Sequence, residues 1–167
     1  MISTARLRLR HFELTDAPFI LKLLNTPGWL TYIGDRGVYT EADATVYLKD
    51  RLIASYTEHG FGFYCVEQQP DLTPIGMFGF AQRPYLDIPD LGFALLPEYT
   101  GKGYAQEAAA ACLTYGQELG LTEVTAFTLP TNTRSIKLLE AVGFHSPESF
   151  YVPGNNEELL LLRRGLE

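Results

Sequence analysis

The residues with the clearest chemical potential lie between positions 91 and 108, which read LGFALLPEYTGKGYAQEA. An apolar, strand-like run enters a short turn with two glycines, Gly101 and Gly103, and leaves it in an alanine-rich helix. Glycine has no Cβ, so the chain can curl tightly there and bring its backbone close to a ligand. The helix start offers unpaired N–H groups and the positive end of its dipole, and the turn can add a nest of converging amides. This pattern suits a diphosphate bound beside the end of the preceding strand.

Spacing separates three uses of such a turn. A Walker loop needs a hydroxyl after Gly-Lys, but Gly101-Lys102 is followed by Gly103, so magnesium would have no ligand there. A dinucleotide fingerprint needs a third glycine early in a βαβ unit; Gln106 holds that position, and several strand-like runs precede the turn. The third option is coenzyme A, held across a strand end and a helix start.

A second pattern lies downstream, from Asn132 and Ser135 to Gly143-Phe144. Together with the glycine turn it resembles the GNAT superfamily of N-acetyltransferases. Motif A of that family, Arg/Gln-x-x-Gly-x-Gly/Ala, falls on Thr100, Gly103 and Ala105, with Thr100 replacing the usual Arg or Gln. The Asn-x-x-Ser…Gly-Phe segment is similar to that of the branch that acetylates the N-terminal alanine of ribosomal proteins. The opening, residues 4–10 followed by Asp16-Ala17, is a softer match.

The resemblance implies an acetyl-CoA-dependent acyltransferase acting on an amine, by direct attack on the thioester. It implies that the backbone of Ala94, Leu95 and Leu96 pairs with the pantetheine arm, and that Thr100, Gly101, Lys102, Gly103, Tyr104 and Ala105 cradle the pyrophosphate. Asn132 would bind the CoA arm, and Ser135 would protonate the leaving thiolate. Both also have a plain structural role, Asn132 as a helix N-cap and Ser135 in a first helical turn. Asp90, just before Leu91-Gly92-Phe93, stands where relatives often carry an acid and is the candidate general base; Asp87 and Glu98 are its neighbours. The acceptor would be a protein N-terminus or a small-molecule amine. A CoA-binding sensor or interaction domain without catalysis is the alternative. Trp29, Tyr32, Tyr39, Phe61 and Phe63, with Phe150 and Tyr151, form a candidate acceptor wall.

The 167 residues suit one domain over 1–167 with a sizeable core. The chain is 46% hydrophobic and 20% charged, with a net charge of −7, which argues against a nucleic-acid partner. Cys65 and Cys112 both sit in apolar runs and read as buried thiols. His11, His59 and His145 are scattered, and no Cys/His spacing suggests a metal. There is no signal-peptide core and no apolar run of membrane-spanning length, so a cytoplasmic setting is expected.

The elements that must position these residues follow from periodicity. A strand is expected at 6–11, a helix capped by Thr15 or Asp16 running to 24, a helical turn at 29–33, and a helix at 41–56 capped by Thr40. Arg51 is expected to lay its stem on the core side of that helix. Three strands, 62–67, 73–83 and 87–95, form an antiparallel meander. A helix at 103–119 leads to a strand at 123–129, parallel to the one before the glycine turn. A helix at 134–142 and strands at 144–152 and 158–163 complete the chain, and the late hairpin could support a homodimer. The fold class is α/β: by resemblance, a GNAT-like mixed, mostly antiparallel twisted sheet with helices on both faces and a splayed parallel strand pair.

Overall fold

The computed structural model describes residues 1–167. Eight strands form one sheet: β1 (Ile2–Ser3), β2 (Leu7–His11), β3 (Phe63–Gln68), β4 (Thr73–Ala81), β5 (Asp90–Leu95), β6 (Glu123–Thr128), β7 (His145–Phe150) and β8 (Leu159–Gly165). Their order in space is β1-β2-β3-β4-β5-β6-β8-β7. Every neighbouring pair is antiparallel except β5 and β6. The expected meander and parallel pair are therefore present. The first strand is longer by a partner: Ile2–Ser3 adds a two-residue edge strand, too short to carry a periodic signal.

The helices are α1 (Ala17–Leu24), α2 (Pro27–Tyr32), α3 (Glu41–Tyr47), α4 (Ala54–His59), α5 (Tyr104–Glu118) and α6 (Thr133–Ala141). Thr40 caps α3 as its sequence suggests, accepting from the Asp43 amide at 3.1 Å. The single helix expected over 41–56 differs from what forms. A π-helical stretch, Leu48–Ile53, separates α3 from α4, and the helical run continues to His59. The wider π turn shifts the later residues around the axis. Ala44, Leu48 and Leu52 remain buried, but Arg51 is exposed, contrary to its expected stem packing. Thr26, Pro27 and Gly28 do more than end α1: Thr26 caps α2, and Pro27 fills a position where a missing N–H costs nothing.

Alternation along the strands divides the core. On one face Leu7, Leu9, Val66, Phe78, Phe80 and Leu91 pack against Ala108, Ala109 and Cys112 of α5 and Leu139 of α6. On the other, Cys65 and Met77 meet Ile20, Leu23, Trp29, Ala44, Leu48 and Leu52 from the helices between β2 and β3. The small residues of α5 let that helix lie close to the sheet. The two cysteines are free and buried, as the apolar runs around them suggest, and they lie on opposite faces of the sheet.

A buried ion network ties β2 to β3 and to the start of α1. Glu67, 3% exposed, accepts from Arg8 Nε and Arg10 Nε at 2.6 Å each. Arg10 also grips Asp16 through two bonds of 2.9 and 2.8 Å. Burial pushes the Asp16 carboxyl up, but those bonds and the Glu13 amide outweigh it and hold it low. Asp16 stands at the N-cap of α1, one of the two positions expected, but its side chain makes no cap bond to that helix, because Arg10 and the Glu13 amide claim it.

The centre of the sheet depends on glycine. Gly79 and Gly92 face each other across β4 and β5. A Cβ on Gly79 would lie 2.6 Å from Phe63 Cα and closer still to the Gly62 carbonyl oxygen, both backbone atoms that cannot swing away. Gly79→Ala is expected to destabilise the fold by about 3 kcal/mol or more, at the upper end of overpacking costs, as read from urea unfolding midpoints at constant m.

Candidate active site

The gap between β5 and β6 is the first component of the site. The two parallel strands share a single aligned pair, Asp90 with Thr125. Beyond it, β5 stays paired with β4 through Leu95 opposite Gly76 but has no further partner in β6. Backbone direction alternates along a strand. The Leu96 N–H is used on the Ile75 carbonyl at 2.8 Å, so Ala94 and Gly92 also face β4. The Thr125 N–H reaches the Pro89 carbonyl at 2.9 Å, so the opposite set, Phe93 and Leu95, faces the gap. Of the three backbone positions expected there, Leu95 is so oriented. Ala94 and Leu96 turn to β4 instead, and Phe93, unmarked by its side chain, takes their place.

The glycine turn stands at the open end of this gap. A 3₁₀ turn, Pro97–Tyr99, follows β5, and Thr100 closes it by bonding back to the Pro97 carbonyl through its hydroxyl at 2.7 Å. Gly101 and Gly103 take φ values of +74° and +83°, a region that other residues enter only at a cost. Gly103 is the N-cap of α5 and gives no side-chain cap, so the amides of Tyr104, Ala105 and Gln106 open the helix free of side-chain partners. Tyr104 turns its ring inward, where Gln68 Nε2 donates to its hydroxyl at 2.7 Å. Lys102 is exposed, its Nζ 5.8 Å from the centre of the Tyr99 ring.

Residues from the chain start clamp this turn, a role no local pattern announces. Arg6 Nη1 donates to the Lys102 carbonyl at 3.0 Å, and Arg6 Nε binds Glu107 of α5 at 2.7 Å. The Arg6 amide and the Thr4 hydroxyl also reach Glu107, at 2.9 and 2.6 Å. The Arg6 guanidinium lies 4.4 Å from the centre of the Tyr104 ring.

The α6 N-terminus follows β6 and so reaches the same end of the gap as the glycine turn. Asn132 is its N-cap, with Oδ1 accepting from the Ser135 amide at 3.2 Å. That bond occupies the oxygen and leaves the Nδ2 donors. Ser135 is 8% exposed in the first turn. The plain structural reading of Asn132 is therefore observed, and it is compatible with a ligand contact through the other atom of the amide.

Asp90 sits at the closed vertex of the gap, about 16 Å along β5 from Leu95. It is 2% exposed, and Arg83 Nε donates to its Oδ1 at 2.9 Å. Burial pushes the carboxyl above the usual aspartate range, and the Arg83 charge and hydrogen bond only partly offset that. Arg83 itself lies 5.6 Å from the centre of the Phe127 ring. The other two acids are placed differently. Asp87 is exposed, and Glu98 is solvated on the 3₁₀ turn near Lys22, 3.3 Å away, at the far end of β5.

The expected aromatic wall divides. Phe63 lies over Gly92, so that a Cβ there would come within 2.8 Å of its ring. Phe150 meets Phe127 and Tyr85 with ring centres 5.8 and 6.1 Å apart. Phe61 belongs to the core of the opposite face, Trp29 is buried among the helices, and Tyr32, Tyr39 and Tyr151 are exposed.

This geometry has counterparts among known proteins. The family model described as "Acetyltransferase (GNAT) domain" matches residues 6–145. The chain is 29% identical over 160 residues to the "Uncharacterized N-acetyltransferase YnaD" of Bacillus subtilis, covering 93% of this chain and 90% of that protein. It is similar to the crystal structure of a GNAT-family acetyltransferase from Bacillus anthracis, with a TM-score of 0.81 and 27% identity over 98% of this chain and 97% of the other. The fold is also that of the ribosomal-protein-S5-alanine acetyltransferase from Vibrio fischeri, with a TM-score of 0.80 at 20% identity, covering 99% and 96% of the two chains.

The opposing influences on Asp90 can be separated. In a carboxyl ¹³C NMR titration, Asp90 is expected to titrate above the ordinary aspartate value of about 3.9. Arg83→Gln, which removes the stabilising cation, moves that midpoint further up.

Proposed function

This chain belongs to the GNAT acetyltransferase family, and from that premise we propose that it transfers an acetyl group from acetyl-CoA to a primary amine by direct attack on the thioester. The observation that carries this reading is the single-rung pair of β5 and β6. It opens toward two motif-bearing helix starts and closes on a buried carboxylate. The residues present suit the donor's chemistry. Unpaired strand amides match an amide-rich pantetheine arm, and a left-handed glycine turn before an uncapped helix matches a diphosphate.

Bound acetyl-CoA supplies the acyl carbon and a thiol leaving group. Phe93 and Leu95 hold the arm through their backbone groups, almost as an added strand. A backbone N–H of β5 offers a hydrogen bond to negative charge developing on the thioester oxygen. Gly101 to Ala105 cradle the diphosphate, Thr100 closes the turn and Lys102 adds charge. The Asn132 Nδ2 donates to the arm.

Asp90 takes the proton from the attacking amine, directly or through a water. Its elevated proton affinity suits a general base, since a carboxyl at its ordinary value would be a weak acceptor near neutrality. Arg83 holds Oδ1, which orients the carboxylate and leaves Oδ2 for the proton. Ser135 supplies a proton to the departing thiolate. A thiol of pKa about 8.5 leaves tolerably without help, so this contribution is small.

The non-catalytic alternative has no observation behind it, and the family is one of enzymes. A cytoplasmic setting is part of the proposal, supported by two buried free thiols. No helix is long and apolar enough to cross a membrane.

Thermal and urea unfolding with acetyl-CoA, against ATP and NAD as controls, tests the donor. At about 100 times the dissociation constant, acetyl-CoA alone should add about 2.7 kcal/mol. No shift at millimolar acetyl-CoA would overturn the assignment. Steady-state kinetics test the roles. Asp90→Asn is expected to lower kcat by about 100-fold, and Ser135→Ala by less than about tenfold. Arg6→Gln is expected to weaken acetyl-CoA binding several-fold through the loosened turn. It should cost under about 1 kcal/mol of stability, because its ion pair is half-exposed.

A further inference from the structure

The strands beyond the gap carry apolar side chains that neither core absorbs. Alternation along β6 and β8 sends Val124, Ala126 and Leu162 into the core shared with α5 and α6. Phe127 and Leu161, aligned with each other across the same two strands, face the opposite way. The core on that side draws on β3, β4 and the end of β5, through Cys65, Met77 and Leu96, and takes no residue from β6, β7 or β8. Leu161 is nonetheless only 3% exposed, and Phe127 is half-buried. Two further half-buried rings lie beside them, Phe150 from the end of β7 and Tyr85 from the loop between β4 and β5. Neither ring belongs to a core.

Printed contacts join this patch to the candidate base. Arg83 Nε lies 2.9 Å from Asp90 Oδ1, and the same guanidinium lies 5.6 Å from the centre of the Phe127 ring. Phe150 follows at 5.8 Å from Phe127, and Tyr85 at 6.1 Å from Phe150. Strand register gives the same placement. Asp90 is level with Thr125, and Phe127 stands two residues further along β6 on the same face, about 7 Å on. It therefore borders the gap where the pairing of β5 and β6 has ended. The other charged groups of this face lie level with the closed end. Arg163 aligns with Thr125 and is flanked by Glu123 and Glu148 at 3.9 and 3.4 Å. The rings occupy the side toward the glycine turn.

We propose that the acceptor is a small primary amine carrying an aromatic ring on a short linker, its ring seated on Phe127, Phe150 and Tyr85 and its nitrogen at Asp90. This rests on the acetyl-transfer reading and names the class of substrate. The reaction fixes one end of the acceptor, because its nitrogen must reach Asp90. The rest of the molecule lies on what adjoins that carboxylate, and by distance this is one guanidinium and then three rings. Small-molecule sites have this composition, mostly aromatic and apolar with few placed polar groups. A span of about 7 Å from carboxylate to ring patch suits an amine separated from its ring by two or three bonds. Ring-on-ring contact adds to the burial of apolar area. A second ammonium group on the acceptor would lie against Arg83 instead of an acid. In the transfer, the amine nitrogen bonds to the acetyl carbon and the C–S bond breaks with its electron pair on sulfur. The amine proton leaves to Asp90, and the sulfur is protonated as free thiol.

The test uses the intact chain with 2-phenylethylamine, tryptamine, ethanolamine, spermidine and a short peptide with an N-terminal alanine as acceptors, following thiol release. Each reaction is paired with a measurement of stabilisation by acetyl-CoA alone. The expected result is a preference of about tenfold or more in kcat/KM for the aromatic amines over ethanolamine. In Phe150→Leu, KM for 2-phenylethylamine should rise about fivefold with kcat within about twofold of the parent, and the preference over ethanolamine should fall by the same factor. Phe150→Tyr, which keeps the ring, should hold that KM within about twofold. Tyr85→Leu, on a loop outside the sheet, gives a second reading that does not depend on the folding of β7. Stabilisation by acetyl-CoA should match the parent in each variant. Equal or better turnover of ethanolamine, spermidine or the peptide would overturn the inference while leaving acetyl transfer intact. So would no acetylation of either aromatic amine, or an unchanged KM in both leucine variants. Absence of any stabilisation of the parent by acetyl-CoA would bring down the transfer reading, and the acceptor class with it.

Discussion

Two parallel strands that share one rung set the terms for the rest of the molecule. β5 and β6 pair only where Asp90 meets Thr125. A parallel pair cannot be joined by a hairpin, so the chain must cross a face of the sheet to return, and α5 makes that crossing. The crossing brings the C-terminal ends of both strands, and the helix starts that follow them, to one side. Each strand end delivers its own motif there. The gap also leaves backbone groups unpaired in the middle of a sheet, which is unfavourable unless something else satisfies them. The amides of an extended ligand have the donors and acceptors to meet that demand.

The two most deeply buried acids are held in different ways. Glu67 and Asp90 are nearly equally buried, at 3% and 2% exposure. Arg8 and Arg10 engage both oxygens of Glu67, and Arg10 also binds Asp16, so the network closes on itself and fastens β2, β3 and α1. Asp90 receives one arginine bond on one oxygen. Glu67 joins two strands and a helix through both of its oxygens. Asp90, held through Oδ1 alone, keeps its orientation while its other oxygen receives no arginine bond, which is the feature the proposed base role draws on.

Legibility in the sequence followed the range of each interaction. The glycine turn, the Thr40 cap, the Asn132 cap and the antiparallel meander are decided within a few residues, and all stand where the pattern puts them. Arg83, seven residues from Asp90 across a loop, left no periodic trace. Arg6 and Glu107 are 101 positions apart, and only the folded sheet brings them together. The strand backbone shows a subtler limit. Side chains mark the faces of β5, but which amides point into the gap depends on its register with β4. Nothing in Ala94-Leu95-Leu96 reveals that parity. The π-helical stretch is similar: Arg51 falls on the core stripe of a regular helix, yet it is exposed while Leu48 and Leu52 are buried.

The helical run from Glu41 to His59 shows how packing can hold a departure from local regularity in place. A π-helical stretch, Leu48–Ile53, interrupts it, and a wider turn of this kind has poorer backbone bonding than a regular one. Ala44 before the stretch and Leu48 and Leu52 within it are all buried, so the buried stripe absorbs the irregularity without losing its packing. The burial of that stripe against the sheet is a tertiary interaction, and it decides which helical geometry forms where local periodicity alone predicts an unbroken α-helix.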